Sequence, residues 1–372
     1  MEFAIEREEF IRGLSRVQSI IEKRTTLPIL SNVLLETKEN GLQIVGTDLE
    51  VGIKGLFSAK IKDPGSITVP AKKLFEIIRE LPEGEVLFKV VENDWVTINA
   101  GQAHFKLMGL VPDDFPILPD YEEETFFKLP TETLANLIEM VGHAIGSDET
   151  RPYLNGLFVH TVENGGKNFL RTVATDGHRL ALSERELPEG EKIKVQPGVI
   201  IPKKGISELK KALDGDGDTI LIAFTERNTI IKTGNMLFII RLIDGDFPDY
   251  DSVVPKNNDK ILTCSRDELF SALRRVSLLS EELGRGVKFE LGKKSLKISC
   301  ENPNLGEAHE EMAVTFDGDA FDIGFNARYF LDTLSTVKDE DVHLAFCDAF
   351  SSVLIKVPSE PGFLSVIMPM RL

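Results

Sequence analysis

The sequence predicts an α+β protein built from three similar domains. Three observations carry that prediction: a loop phrase that returns along the chain, a strand-rich pattern that restarts twice in each third, and one helix at each restart. Residues 113–121 read DDFPILPDY and residues 244–250 read DGDFPDY, with a fainter echo at Met368-Pro369. A Thr-Asp pair recurs alongside, as Thr47-Asp48 and Thr175-Asp176. Phe-Pro-Asp-Tyr makes poor helix or strand, because proline lacks the amide donor and restricts the residue before it. A repeat of roughly 120–130 residues is longer than the units of most solenoids and propellers. It marks duplicated domains, expected at 1–124, 125–256 and 257–372.

Within the first domain, MEFAIE alternates like a strand and EEFIRGLSRVQSII places apolar residues at helical spacing. ILSNVLLET, LQIVGT and VGIKGLF then alternate like strands. The pattern restarts with SITVP, the helix AKKLFEIIREL, and the strands EVLFKVV, WVTINAG and HFKLMGL. Each domain is therefore two β-α-β-β-β units, giving six helices, expected at 7–23, 71–80, 131–143, 203–213, 265–280 and 326–338, and about two dozen strands. Pro70 and Pro202 mark helix starts, and Ser265-x-x-Glu268 is a capping box. Strand runs with one helix per unit place the helices on one side of antiparallel sheets.

Composition narrows the class. An apolar fraction of 42% is enough for a sizeable core. Cys264, Cys300 and Cys347 are odd in number and far apart, which excludes a disulfide scaffold and a thiolate zinc site and favours a reducing, cytoplasmic setting. The charged N-terminus is not a secretory signal, and no apolar run approaches the roughly 20 residues that cross a bilayer, so no membrane partner is expected. The six histidines have no metal-ligand spacing. Asp214-Gly-Asp-Gly-Asp218 lacks the glycine and glutamate of a calcium loop and reads as an acidic turn. With no G-x-x-x-x-G-K-[ST] either, no metal, nucleotide or other cofactor is expected.

The net charge of −17 disfavours a nucleic-acid partner only if charge is spread evenly. It is not: five of the six helices carry a surplus of lysine and arginine, and helix 131–143 alone has none. Lys72, Lys73, Arg79, Lys203, Lys204, Lys210 and Lys211 contribute most. Basic helices on one surface, with acidic strands outside, would attract a phosphate backbone without reading bases.

At this point the residues match a family. TLPIL (26–30), GTDLE (46–50), LPEGE (81–85), TVATDGHRLA (172–181), FPDY (247–250), IGFNARYFLDTL (323–334) and MPMRL (368–372) occur in order over the whole chain. With them the chain resembles the bacterial DNA polymerase III beta subunits, the sliding clamps. The resemblance implies a clamp fold with helices inside and sheets outside, closed head to tail into a homodimeric ring around duplex DNA. Helices about 10 Å wide agree: six would leave a hole of about 10 Å, and twelve about 30 Å. The implied partners are double-stranded DNA, the replicative polymerase alpha subunit, the clamp loader delta subunit, and other polymerases and repair proteins carrying short binding peptides.

The implied residues follow. An edge strand with Phe105 and Leu107 would meet Leu278 and Leu279 of another copy, although each also fits an ordinary core. Arg24, Lys72, Lys73, Lys203, Lys204 and Arg285 would face DNA, with solvated surface charge as the plainer alternative. A hydrophobic peptide groove maps onto Tyr153, Leu154, Thr175, Gly177, His178, Arg179, Leu180, Pro248, Val253, Ser352 and Val366, with Met368, Pro369, Met370, Arg371 and Leu372 completing it. Thioethers such as Met368 and Met370 suit a surface that adapts to several ligands. Pro152, Ser252 and Phe350 depart from the family pattern beside the groove. Two competing readings stand: a DNA-modifying enzyme using Asp176 and His178, and a repeat scaffold with no DNA role. No serine or cysteine stands in a nucleophile motif, which weighs against the enzyme.

Overall fold

The computed structural model describes residues 1–371 except 22–26, 120, 122–125, 189–192, 194, 196, 214–217 and 281–285. Arg24, Arg285, Leu372 and most of the acidic turn at 214–218 therefore lie outside the described residues. Six α-helices are present among the described residues: α1 Arg7–Gln18, α2 Ala71–Glu80, α3 Thr131–Val141, α4 Lys203–Leu213, α5 Arg266–Val276 and α6 Ala327–Thr336. Every expected helix starts within a residue of its place. Ser265 Oγ accepts from the Glu268 amide at the start of α5, and Asn326 Oδ1 accepts from the Arg328 amide at the start of α6. The ends differ. The helix expected to reach residue 23 stops at Gln18, and the one expected to reach 280 stops at Val276, where a 3-10 turn Ser277–Leu279 follows. In both the next residue is a serine whose hydroxyl bonds back to the carbonyl three residues earlier, a local bond that competes with the helical ladder.

Among the described residues four antiparallel sheets carry the strands, and the chain divides into two compact units. The first unit is Met1–Glu132 with Lys204–Leu242, and the second is Thr133–Lys203 with Ile243–Leu372. The cuts fall inside the central sequence copy. The reason is hydrogen bonding between copies. In the first unit, strand Met236–Arg241 of the second copy pairs with Val51–Phe57 of the first, and an eight-stranded sheet results. In the second unit, strand Arg179–Glu186 of the second copy pairs with Phe363–Ile367 of the third, within a nine-stranded sheet.

Alternation decides which face each strand buries. In Glu2–Glu6, Phe3 and Ile5 point inward, and α1 lays Phe10, Leu14 and Val17 over the same core. Phe3 stacks on Phe88 at 4.8 Å, and Phe10 meets both rings edge-on. The other five-stranded sheet edge, Ala103–Met108, leaves Phe105 38% exposed and Met108 57% exposed. In the second unit Leu278 is 68% exposed on its 3-10 turn. These side chains are not core.

Phe88 sits at the centre of the aromatic cluster, so Phe88→Ala should cost about 3–5 kcal/mol in chemical denaturation, a change near zero contradicting the packing.

Candidate functional site: an apolar cleft beside a hairpin turn

The cleft lies in the second unit. Its geometry begins at the turn between strands Lys167–Thr175 and Arg179–Glu186. Asp176 Oδ1 accepts the backbone amides of His178 and Arg179 at 2.9 and 3.1 Å. Thr175 Oγ1 accepts the Gly177 amide and donates to the Arg179 carbonyl at 2.7 Å. Gly177 holds φ +89°, a left-handed conformation that glycine adopts at little cost. The turn is fixed from both sides.

Arg179 is held more firmly still. It is 9% exposed, bonded to Asp176 at 3.0 Å and Asp332 at 2.7 Å, and its guanidinium lies 4.6 Å over the Tyr329 ring. Two carboxylates neutralise it, and the cleft beside it stays apolar.

The floor comes from the strand pairing. Leu180 pairs with Val366, which pairs with Leu354, which pairs with Ala345, all on one face of the sheet and all buried. The repeated phrase forms one wall. Phe247 stacks on Phe158 at 4.7 Å, and Tyr250 is buried with its hydroxyl 2.8 Å from His160 Nε2 and accepting from Arg171 at 3.1 Å. Arg171 in turn donates from Nε and Nη2 to a single Glu184 oxygen, Oε2, at 2.8 and 2.6 Å. Burial, helped by Arg171, pushes His160 down to about 4, so a neutral ring shares a hydrogen bond with the Tyr250 hydroxyl. The tail completes the rim: the Met368 amide donates to the His178 carbonyl at 3.0 Å, and the Met370 amide to the Gly324 carbonyl at 2.9 Å.

The result is a cleft of about 230 Å³ lined by Tyr153, Leu154, Thr175, Gly177, Arg179, Leu180, Pro248, Val253, Val366 and Met368. Arg151, Asp249 and Tyr250 also line it and were not singled out in the sequence. Tyr250 could have been, since it closes the repeated phrase. Arg151 carries no sequence signal, being placed by Asp148, whose carboxylate it meets at 2.9 Å and whose pKa is down at about 2 through bonds from Thr150 and Arg151. His178 contributes its carbonyl, while its exposed side chain is not part of the lining. Ser352, Pro369, Met370 and Arg371 are not in the lining either; the Ser352 carbonyl accepts from Asn258 instead.

Both Asp176 oxygens are spent on the turn amides and Arg179, so it does not orient the His178 imidazole as a catalytic base. The geometry argues for binding rather than catalysis. Of the basic residues, Lys72, Lys73 and Lys203 are exposed near helix starts, with Lys73 2.6 Å from Glu76. Lys204 is tied to the buried Asp48 carboxylate at 2.5 Å. Its charge secures the first copy's Thr-Asp turn.

Known proteins agree with the fold and with one another. Sequence profiles described as the N-terminal, central and C-terminal domains of the DNA polymerase III beta subunit match residues 1–119, 128–249 and 251–371. Beta sliding clamps of Caulobacter vibrioides and Escherichia coli K12 are each 39% identical over 373 residues, and that of Proteus mirabilis is 41% identical over 376, with both chains covered in full each time. A solved DNA polymerase sliding clamp from Caulobacter crescentus superposes with a TM-score of 0.94 at 39% identity, with both chains fully covered. The DNA polymerase III beta subunit of Pseudomonas aeruginosa does so at 0.93 and 37%, again over the whole of both chains.

Burial also pushes His143 down to about 4, beside Thr333 in the second unit. Both histidines are bound neutral in the fold and titrate near 6.5 when unfolded, so the unfolded state takes up more protons between those values. Stability is thus full above about pH 6.5 and is lost as pH falls toward 4, by up to about 3 kcal/mol for His143 and less for the partly solvated His160. Thermal unfolding followed from pH 7.5 to 4.5 should show the loss, and His143→Asn with His160→Gln should flatten that part of the profile.

Proposed function

The chain belongs to the DNA polymerase III beta subunit family, and from that premise we propose that two copies close into a ring around duplex DNA and tether partners through the apolar cleft. It is a sliding clamp, a processivity subunit of DNA polymerase III and not a catalytic one. The observation that carries the proposed docking role is the cleft itself. Its floor of Leu180 and Val366 is apolar, its buried cation Arg179 is neutralised, and its described lining residues include no serine or cysteine. Such a surface suits short peptides with a few apolar anchors, which bind modestly and exchange. The replicative polymerase alpha subunit, the clamp loader delta subunit, and other polymerases and repair proteins are the occupants in this reading, with the protein acting in the cytoplasm on the nucleoid.

Ring closure has its own support. The edge strand Ala103–Met108 exposes Phe105 beside a half-buried Leu107 in the first unit, and the turn Ser277–Leu279 exposes Leu278 beside a half-buried Leu279 in the second. An unpaired apolar edge is a liability that pairing with another copy removes. The DNA contact is expected to be diffuse. Lys72, Lys73 and Lys203 sit at the starts of α2 and α4, where weak, sequence-independent attraction to phosphate permits sliding. Arg24 and Arg285 are assigned to the same surface from sequence alone. Three clamp domains bounded near 124 and 256 remain the proposed division of the chain by sequence copy.

The topological claim is tested by loading the protein on nicked circular DNA with its ATP-driven loader. Retention on circles and rapid loss after linearisation are expected, together with a light-scattering mass of about 83 kDa, twice the 41.4 kDa chain. Equal loss from both forms of DNA, or a monomeric mass, would overturn the ring.

A further inference from the structure

The two sheets that join sequence copies repeat one rung residue for residue. In the second unit the rung is Ala345, Leu354, Val366 and Leu180. In the first it is Ala223, Ile230, Ile239 and Gly52. Leu180 lies four residues beyond Asp176, and Gly52 four beyond Asp48, whose Oδ1 accepts the Glu50 and Val51 amides as Asp176 does those of His178 and Arg179. The same turn therefore stands beside the same rung twice. The difference lies in what covers it.

Over Gly52 sits Leu118. A Cβ on Gly52 would stand 2.4 Å from Leu118 Cδ2, so the seat exists only because residue 52 has no side chain. Leu118 packs against the buried cluster of Ala223, Ile230, Leu237 and Ile239, with Tyr121 beside it. Its origin is visible in the repeated phrase. FPILPDY differs from FPDY by three residues, Ile117-Leu118-Pro119, and the side chain in the seat belongs to those three. Ile117, next to it, is 95% exposed. We infer that the outer face of the Val51–Phe57 and Met236–Arg241 strands is a second apolar docking face, built like the open cleft, whose ligand is the chain's own Leu118.

The chain thereby closes one of two equivalent faces with a tethered aliphatic side chain, leaving one cleft open per copy. Leu118 also fastens the segment joining the first two sequence copies to the sheet that those copies share. The inference stands on the duplicated rung and not on the peptide-groove reading of the open cleft, so the two can fail separately.

The test uses the full-length protein with labelled isoleucine, leucine and valine methyl groups. Two variants empty the seat: Leu118→Ala, and deletion of residues 117–119, which shortens the phrase to the length of its partner. The probe is a capped peptide of residues 115–119. In both variants the Ile230 and Ile239 methyl signals should shift saturably, by at least severalfold more than in the unsubstituted chain, where Leu118 holds the site. Absence of a shift in both variants, with well-dispersed spectra, would overturn the inference. So would an equal shift in the unsubstituted chain. Leu354 and Val366 report the open cleft in the same spectra, so a 115–119 peptide that moves them while Ile230 and Ile239 stay unshifted in both variants refutes this inference and leaves the groove reading intact.

Discussion

Five antiparallel residue pairs, Arg179 to Ser183 against Ile367 to Phe363, are the contact on which the site depends. They put Leu180 beside Val366 on one face, and side chains alternate along a strand, so a slip of one residue would send the two to opposite faces and break up the floor. The same ladder carries Ile367 into the tail, where the Met368 amide reaches the His178 carbonyl. Turn, floor and tail are thus referred to one register. The cleft forms where the second and third sequence copies are hydrogen-bonded into a single sheet.

That arrangement explains how much of the molecule could be read from the sequence. Helix starts were legible because their signals are local: Ser265 and Asn326 cap the helices that follow them. Helix ends were less so, since apolar spacing continues past Gln18 and Val276 while a serine hydroxyl takes over the carbonyl. The pairing of Val51–Phe57 with Met236–Arg241 was not legible, because nothing in either strand names a partner nearly two hundred residues away. The compact units consequently cut across the central copy, although the repeats themselves are plain.

The site divides in the same way. The turn from Thr175 to Leu180 could be read from its own residues, with Gly177 at the positive φ it adopts there, while its place in a groove came from the resemblance. Ser352 and His178 were placed by resemblance, yet their side chains are not in the lining. Arg151 was missed because only the fold brings it to the rim. Lys204 and Lys211 show how charge counting misleads: among the basic residues of α4 they are committed to the buried carboxylates of Asp48 and Glu208. Duplication has kept the Thr-Asp turn in the first two sequence copies, with Leu49 at φ +76° in the first where the second has Gly177, while the surroundings have diverged.

The central claim is that partners dock on the face built by this one ladder. Hydrogen exchange of the full-length chain with and without the polymerase alpha subunit tests it most directly. The account predicts new protection confined to Tyr153-Leu154, the 175–180 turn and the tail from Val366 onward. Protection spread over the basic helices instead, with those three segments unchanged, would contradict it.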